Sequence, residues 1–146
     1  MDYRRFGDVL VVRLDRGEEI IAALAALAKR ENITLATVQG IGACDQVKYS
    51  LYNVAERTYS PNELHEELEL TSLNGNMSMM DGEYYSHLHA TFGRANGAVV
   101  GGHLNEARIS GTGEIFVHMI SGEVERSKDE VETGLNLFDF NKSYAD

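Results

Sequence analysis

Hydrophobic positions at the start of the chain follow the period of a strand. DVLVVRL, residues 8–14, is a short Val-rich run bounded by Gly7 and Gly17, the pattern of a buried strand. The spacing then turns helical. In GEEIIAALAALAKREN, residues 17–32, Ile20, Leu24 and Leu27 share a face, Glu18 and Glu19 occupy the first turn, and Lys29 and Arg30 the last, each where the helix dipole favours its charge. This predicts one main helix packed on a sheet. After it, ITLATVQGIGACDQVKYSLYN reads as a strand, a corner at Gly40 and Gly42, and a second strand in which Val47, Tyr49 and Leu51 share a face. The Gly-x-Gly lacks the third glycine, the lysine and the following helix of a phosphate loop, and is expected to be a tight turn. The polar stretch around Pro61 is expected to loop. HEELELTSLNGNMSMMDGEYYSHLHATFG supplies three more short strands, divided at Gly75 and at Asp81 and Gly82, and AVVGGHL and GEIFVHMI continue the count. About seven or eight short strands with one early helix predict an α+β domain on a largely antiparallel sheet. No repeat or linker divides residues 1–146, so a single domain is expected. Its tail from Glu123, charged and then briefly apolar at Leu135, Leu137 and Phe138, would dock on the body as a last element and end in a few frayed residues.

Composition narrows the setting. With 43% hydrophobic residues, 146 residues suffice for one core of their own. Thirteen Lys and Arg against 23 Asp and Glu give a net charge of −10, a field that repels nucleic acid and anionic membranes, and no basic patch interrupts it. Direct DNA binding is therefore not expected. Cys44 is the single cysteine, which excludes an internal disulfide and suits a reducing compartment. The apolar run near the N-terminus is too short for a secretory signal and none is long enough to span a bilayer, so a cytoplasmic protein without membrane contact is the expectation.

The chemistry concentrates in SHLHATFGRANGAVVGGHLNEA, residues 86–107, which holds three of the five histidines. Alternation puts His87 and His89 on one face with Tyr85 and Thr91, and Leu88, Ala90 and Phe92 on the other. In RANGA, Gly97 sits where a three-residue hairpin loop needs a positive φ. That register pairs Arg94 with Ala98, Phe92 with Val100, Ala90 with Gly102 and Leu88 with Leu104, and sets His89 opposite His103. Gly101, opposite Thr91, is expected to leave room beside the imidazoles. Opposed side chains have Cβ atoms about 5 Å apart and same-face neighbours on one strand lie about 7 Å apart, so His87, His89 and His103 converge. Three convergent neutral imidazoles form a zinc site with an open fourth position, and nickel, copper or iron would accept the same donors. The competing reading makes each a half-buried strand histidine bonded to its neighbours. His65 lies in an acidic run; His118, between Val117 and Met119, is an outside candidate for a fourth ligand. Asn105 and Glu106 follow the third histidine, Glu114 starts the next strand, and Glu69 is on a candidate neighbouring strand. Sequence alone places none of these as a catalytic base.

ELTSLNGNMS, SHLHATFG, GAVVGGHL and the earlier VQGIGACDQV resemble, in order and spacing, a prokaryotic PPC domain, the plants-and-prokaryotes conserved domain that is joined to AT-hooks in plants. The resemblance runs from the first strand through ETGLNLFDF. It implies an α+β homotrimer with metal ligands at His87, His89 and His103. Plant members lack these histidines, and this chain lacks the Arg-Gly-Arg-Pro of an AT-hook. The expected function is a metal-binding, trimeric binding or regulatory module that takes a small molecule at the metal. A zinc-dependent enzyme of hydrolase or lyase type, working through metal-bound water, is the alternative. A DNA-binding, transcription-associated role rests on family analogy alone.

Overall fold

The structure is a computed structural model that describes residues 1–142; the expected frayed end lies outside the described residues. Its elements are β1 (Asp2–Phe6), β2 (Val9–Leu14), α1 (Ile20–Glu31), β3 (Ala36–Asn53), β4 (Thr58–Met80), β5 (Glu83–Gly93), β6 (Val99–Met119), β7 (Arg126–Lys128) and β8 (Asn136–Phe138). Every strand pairing between these elements is antiparallel, which makes the fold α+β. The main sheet runs β1-β2-β6-β3-β4-β5, and β5 pairs back onto β6. Strands β3, β4, β5 and β6 thus close on themselves, leaving β6 with β5 and β3 beside its first half and β2 and β3 beside its second.

Alternation builds the core. Leu10, Val12 and Leu14 of β2, Leu88, Ala90 and Phe92 of β5, and Ile115 and Val117 of β6 are all buried. Helix α1 covers them with Ile20, Leu24, Leu27 and Ala28. The helix starts later than the charge pattern suggests. Glu19 stands outside it as the N-cap, its carboxylate accepting from the backbone N–H of Ile21 and Ala22 at 3.0 and 2.7 Å. Glu18 instead meets the N-terminal amine of Met1. At the other end Asn32 takes the left-handed conformation that closes a helix.

Strand lengths correct the sequence reading. No corner forms at Gly40 and Gly42: β3 runs through both, absorbing the irregularity as register shifts against its neighbours. Pro61 lies within β4, opposite Ser50, and not in a loop. That half of β4 pairs only with β3, and a proline is tolerated on such an edge, where one side has no neighbouring strand to bond. Gly75 does not divide β4 either; a Cβ there would lie 2.1 Å from the His87 carbonyl oxygen, so the residue is small because β5 passes close. AVVGGHL and GEIFVHMI belong to one strand, β6. The short β1, not foreseen, pairs along β2 as an edge. The tail docks as expected, as the two-stranded β7–β8 ribbon.

Candidate metal centre

The β5–β6 hairpin has the anticipated turn. The Arg94 N–H donates to the Ala98 carbonyl at 2.9 Å, the Gly97 N–H to the Arg94 carbonyl at 2.8 Å, and Gly97 has φ +83°. From there Phe92 pairs with Val100, Thr91 with Gly101, Ala90 with Gly102 and His89 with His103. Beyond His89 the strands part: Leu88 pairs with Gly75 of β4 and Leu104 with Tyr49 of β3. Gly101 does not leave room for a ligand. A Cβ on it would sit 2.2 Å from the Ala90 carbonyl oxygen, so the missing side chain lets β6 close against β5.

Closure brings the three histidines together. Their ring centroids lie 5.1 Å (His87–His89), 5.4 Å (His87–His103) and 5.6 Å (His89–His103) apart. One ring nitrogen from each falls within 4.8 Å of the others. The Nε2 atoms of His87 and His89 are 3.2 Å apart. Two nitrogens each about 2.0–2.1 Å from one zinc at a tetrahedral angle lie about 3.3 Å apart, so this pair already has the spacing of shared ligands. Burial favours the neutral form at His87 and His103. It pushes the His87 pKa down to about 4, with further depression from His103, His89 and Arg126, and lowers that of His103, where His89 adds to the effect. Neutral imidazole is the ligating form. The donor set and its spacing fit a late first-row ion.

The histidines floor a cavity of about 920 Å³. Tyr52 and Tyr59, from β3 and β4, form one side, and the β7–β8 ribbon forms another through Arg126, Leu135, Leu137 and Phe138. The ribbon is tied down by the Tyr52 hydroxyl, which donates to the Thr133 carbonyl at 2.6 Å, and by Arg57, which reaches the Glu130 carbonyl at 3.0 Å. The other candidate residues lie elsewhere. Asn105 accepts from the Ser50 hydroxyl at 2.8 Å, one residue pair away from His103 and outside the cavity lining. Glu106 is paired with Lys48 at 2.9 Å. Glu69 and Glu114 line a separate hollow with Ile41. His118 pairs with Val9 and Thr37, away from the triad, and His65 bonds to Glu63 at 2.7 Å. Cys44 is buried in the core with its thiol pushed up to about 12, unsuited to act as ligand or nucleophile. Arg126, Asn76 and the two tyrosines were not singled out by sequence; they join the site only through pairings of high sequence separation.

A closed antiparallel sheet carrying one helix and presenting three histidines from one hairpin defines an α+β domain suited to hold an ion. The chain belongs to the Plants and Prokaryotes Conserved (PCC, or PPC) domain family, whose model matches residues 1–121. No curated protein matches it. Among solved structures it is similar to a putative DNA-binding protein of Bacteroides thetaiotaomicron, at 32% identity and TM-score 0.93 over 97% of this chain and 98% of the other. A metal-containing protein from Archaeoglobus fulgidus is 34% identical, with TM-score 0.85 over 94% and 98% of the two chains. A plant- and prokaryote-conserved protein of Pyrococcus horikoshii is 31% identical, with TM-score 0.83 over 97% and 96%.

Proposed function

We propose that the protein is a metal-dependent binding module, holding one zinc or similar ion on His87, His89 and His103 and receiving a small molecule in the cavity above. The observation that carries this reading is the 3.2 Å separation of two imidazole nitrogens within a three-histidine cluster. The likeness to a metal-containing archaeal protein agrees with it. A bound zinc would supply a Lewis acid able to orient and polarise a ligand oxygen. Among the described residues no Asp or Glu lines the cavity, so a hydrolytic step would lack a carboxylate base, and this favours binding over catalysis. Among the described residues no helix is long and apolar enough to cross a membrane. Assembly as a homotrimer belongs to the same proposal: Phe6, Ile41 and Phe116 stand 63%, 57% and 51% exposed, apolar surface that a partner copy would cover.

The test is elemental analysis of the purified protein, with about one equivalent of ion per chain expected and His89→Ala expected to remove it. Undiminished metal in a His87→Ala, His89→Ala double variant would refute the assignment. Light scattering should give about three times 16.2 kDa for the assembly; a monomer at micromolar concentration would refute the trimer.

A further inference from the structure

The cavity differs in charge from the rest of the molecule. The chain carries 23 Asp and Glu against 13 Lys and Arg, yet the cavity is lined by Arg126 and Lys128 and, among the described residues, by no carboxylate. Lys128 is exposed and paired with Glu130 at 3.0 Å. Among the described residues no carboxylate pairs with Arg126. It is 3% exposed, with its guanidinium between the rings of Tyr85 and Phe138 at 4.7 and 4.2 Å. Its hydrogen bonds go to neutral acceptors: the Ser78 hydroxyl at 2.8 Å, the Asn136 carbonyl at 2.7 Å and the Asn76 side-chain oxygen at 2.9 Å. A guanidinium has five N–H donors, so the named acceptors leave donors to spare. A buried cation without a counter-charge is costly, and an anionic ligand would offset that cost.

Arg126 is also coupled to the histidines by the fold. Asn76, which takes one of its bonds, pairs with His87 across β4 and β5, and Tyr85, on which it stacks, precedes His87 by two residues on the same face. A divalent ion on three neutral imidazoles would add its full charge to that of Arg126 in one partly enclosed space. The nearby walls are apolar or aromatic, with Leu51, Tyr52, Val54, Leu135 and Leu137. Such a wall suits an organic body, and a volume of about 920 Å³ accommodates one.

From this we infer that the cavity is a receptor site for a small organic carboxylate, whose charge is balanced by Arg126 and whose apolar portion lies against the β3 and β7–β8 walls. Arg126 lies beyond the residues that the family model matches. The inference deepens the metal-binding reading, and its Arg126 half stands without it.

The experiment titrates benzoate, phenylacetate and the neutral isostere benzamide into zinc-loaded protein by calorimetry and ligand-detected NMR. Cobalt titration, read by visible absorption, monitors the triad separately. Benzoate or phenylacetate should bind saturably in the millimolar range or tighter, with benzamide at least about tenfold weaker because it lacks the charge. Arg126→Gln should weaken carboxylate binding at least about tenfold while leaving the cobalt spectrum unchanged, and Arg126→Lys should restore part of it. Benzamide binding as tightly as benzoate in the unaltered protein, a test that needs no variant, would overturn the inference. So would failure of both carboxylates to bind, or full benzoate affinity in a folded Arg126→Gln protein. If cobalt fails to bind while benzoate binding still depends on Arg126, the metal reading falls and the carboxylate site stands.

Discussion

Replacing Gly101 with alanine tests whether closure of β5 on β6 is what assembles the triad. The added Cβ would lie 2.2 Å from the Ala90 carbonyl oxygen and 2.9 Å from the Thr91 Cα, where ordinary contact begins at 3.4 Å. The atoms it meets are backbone, so no side chain can swing aside, and relief requires parting the strands by roughly 1 Å. Overpacking of this kind costs about 1–3 kcal/mol. The parting falls two residue positions from the His89–His103 pair, and metal sites tolerate only about 0.2 Å of error in ligand distance. Gly101→Ala should therefore lose stability in urea unfolding and weaken zinc binding by about tenfold or more, the scale seen when support for metal ligands is removed. Gly97→Ala is the control. Gly97 also lies in the hairpin, at φ +83°, but nothing approaches its Cβ position within 4 Å, so alanine there strains only the turn and costs about 1 kcal/mol. Its zinc affinity should stay near that of the parent. The reasoning is refuted if Gly101→Ala matches the parent in both urea midpoint and zinc affinity, or if the two alanines lower zinc affinity equally.

In metal-free protein the His87 ring should titrate near 4 by NMR of its Cε1 proton, since burial disfavours the imidazolium. The folded state then binds fewer protons than the unfolded state between about pH 6.5 and 4, so stability falls as pH drops through that window and is fully present above it; a midpoint at or above 6.5 would contradict the burial. Duplex DNA should not bind at physiological salt, because the net charge is −10 and Arg5, Arg13, Lys48, Arg94, Arg108, Lys128 and Lys142 are each ion-paired with a carboxylate of the same chain. Micromolar binding that weakens steeply in a salt titration would reveal a cationic surface and support a DNA-binding role for this chain.

The half of the site that the sequence discloses is the half whose contacts are local. His87, His89 and His103 lie within one hairpin, and a single turn with one glycine of positive φ determines which residues face each other, so periodicity and counting suffice. The same counting fails for strand ends. Glycine marks a turn or a close approach of two backbones, and at Gly40, Gly42, Gly75 and Gly101 the second cause holds: each would place a Cβ within 3.0 Å of an atom on a neighbouring strand. Long strands therefore read as several short ones, and while the alternation holds through the β5–β6 hairpin, it fails in β3 at Leu51, which is exposed although Val47 and Tyr49 are buried. Pro61 misled for a related reason, since only tertiary pairing reveals which side of β4 lies open.

No local pattern marks Arg126 as part of the site. In EVERSKDEVE it reads as one more charge on a solvated tail, surrounded by acids that look like its partners. Folding carries it instead to Asn76 and Ser78, 50 and 48 residues earlier, and stacks it on Tyr85, while the neighbouring acids turn elsewhere. Glu125 accepts from the Asp81 and Gly82 N–H groups, and Asp129 caps the loop at Val131, Glu132 and Thr133. Each of these carboxylates is engaged by backbone donors and neither neutralises the guanidinium that shares the cavity with the histidines. The positive character of the cavity thus follows from how the tail distributes its charges on docking, a property that no local pattern in the tail encodes.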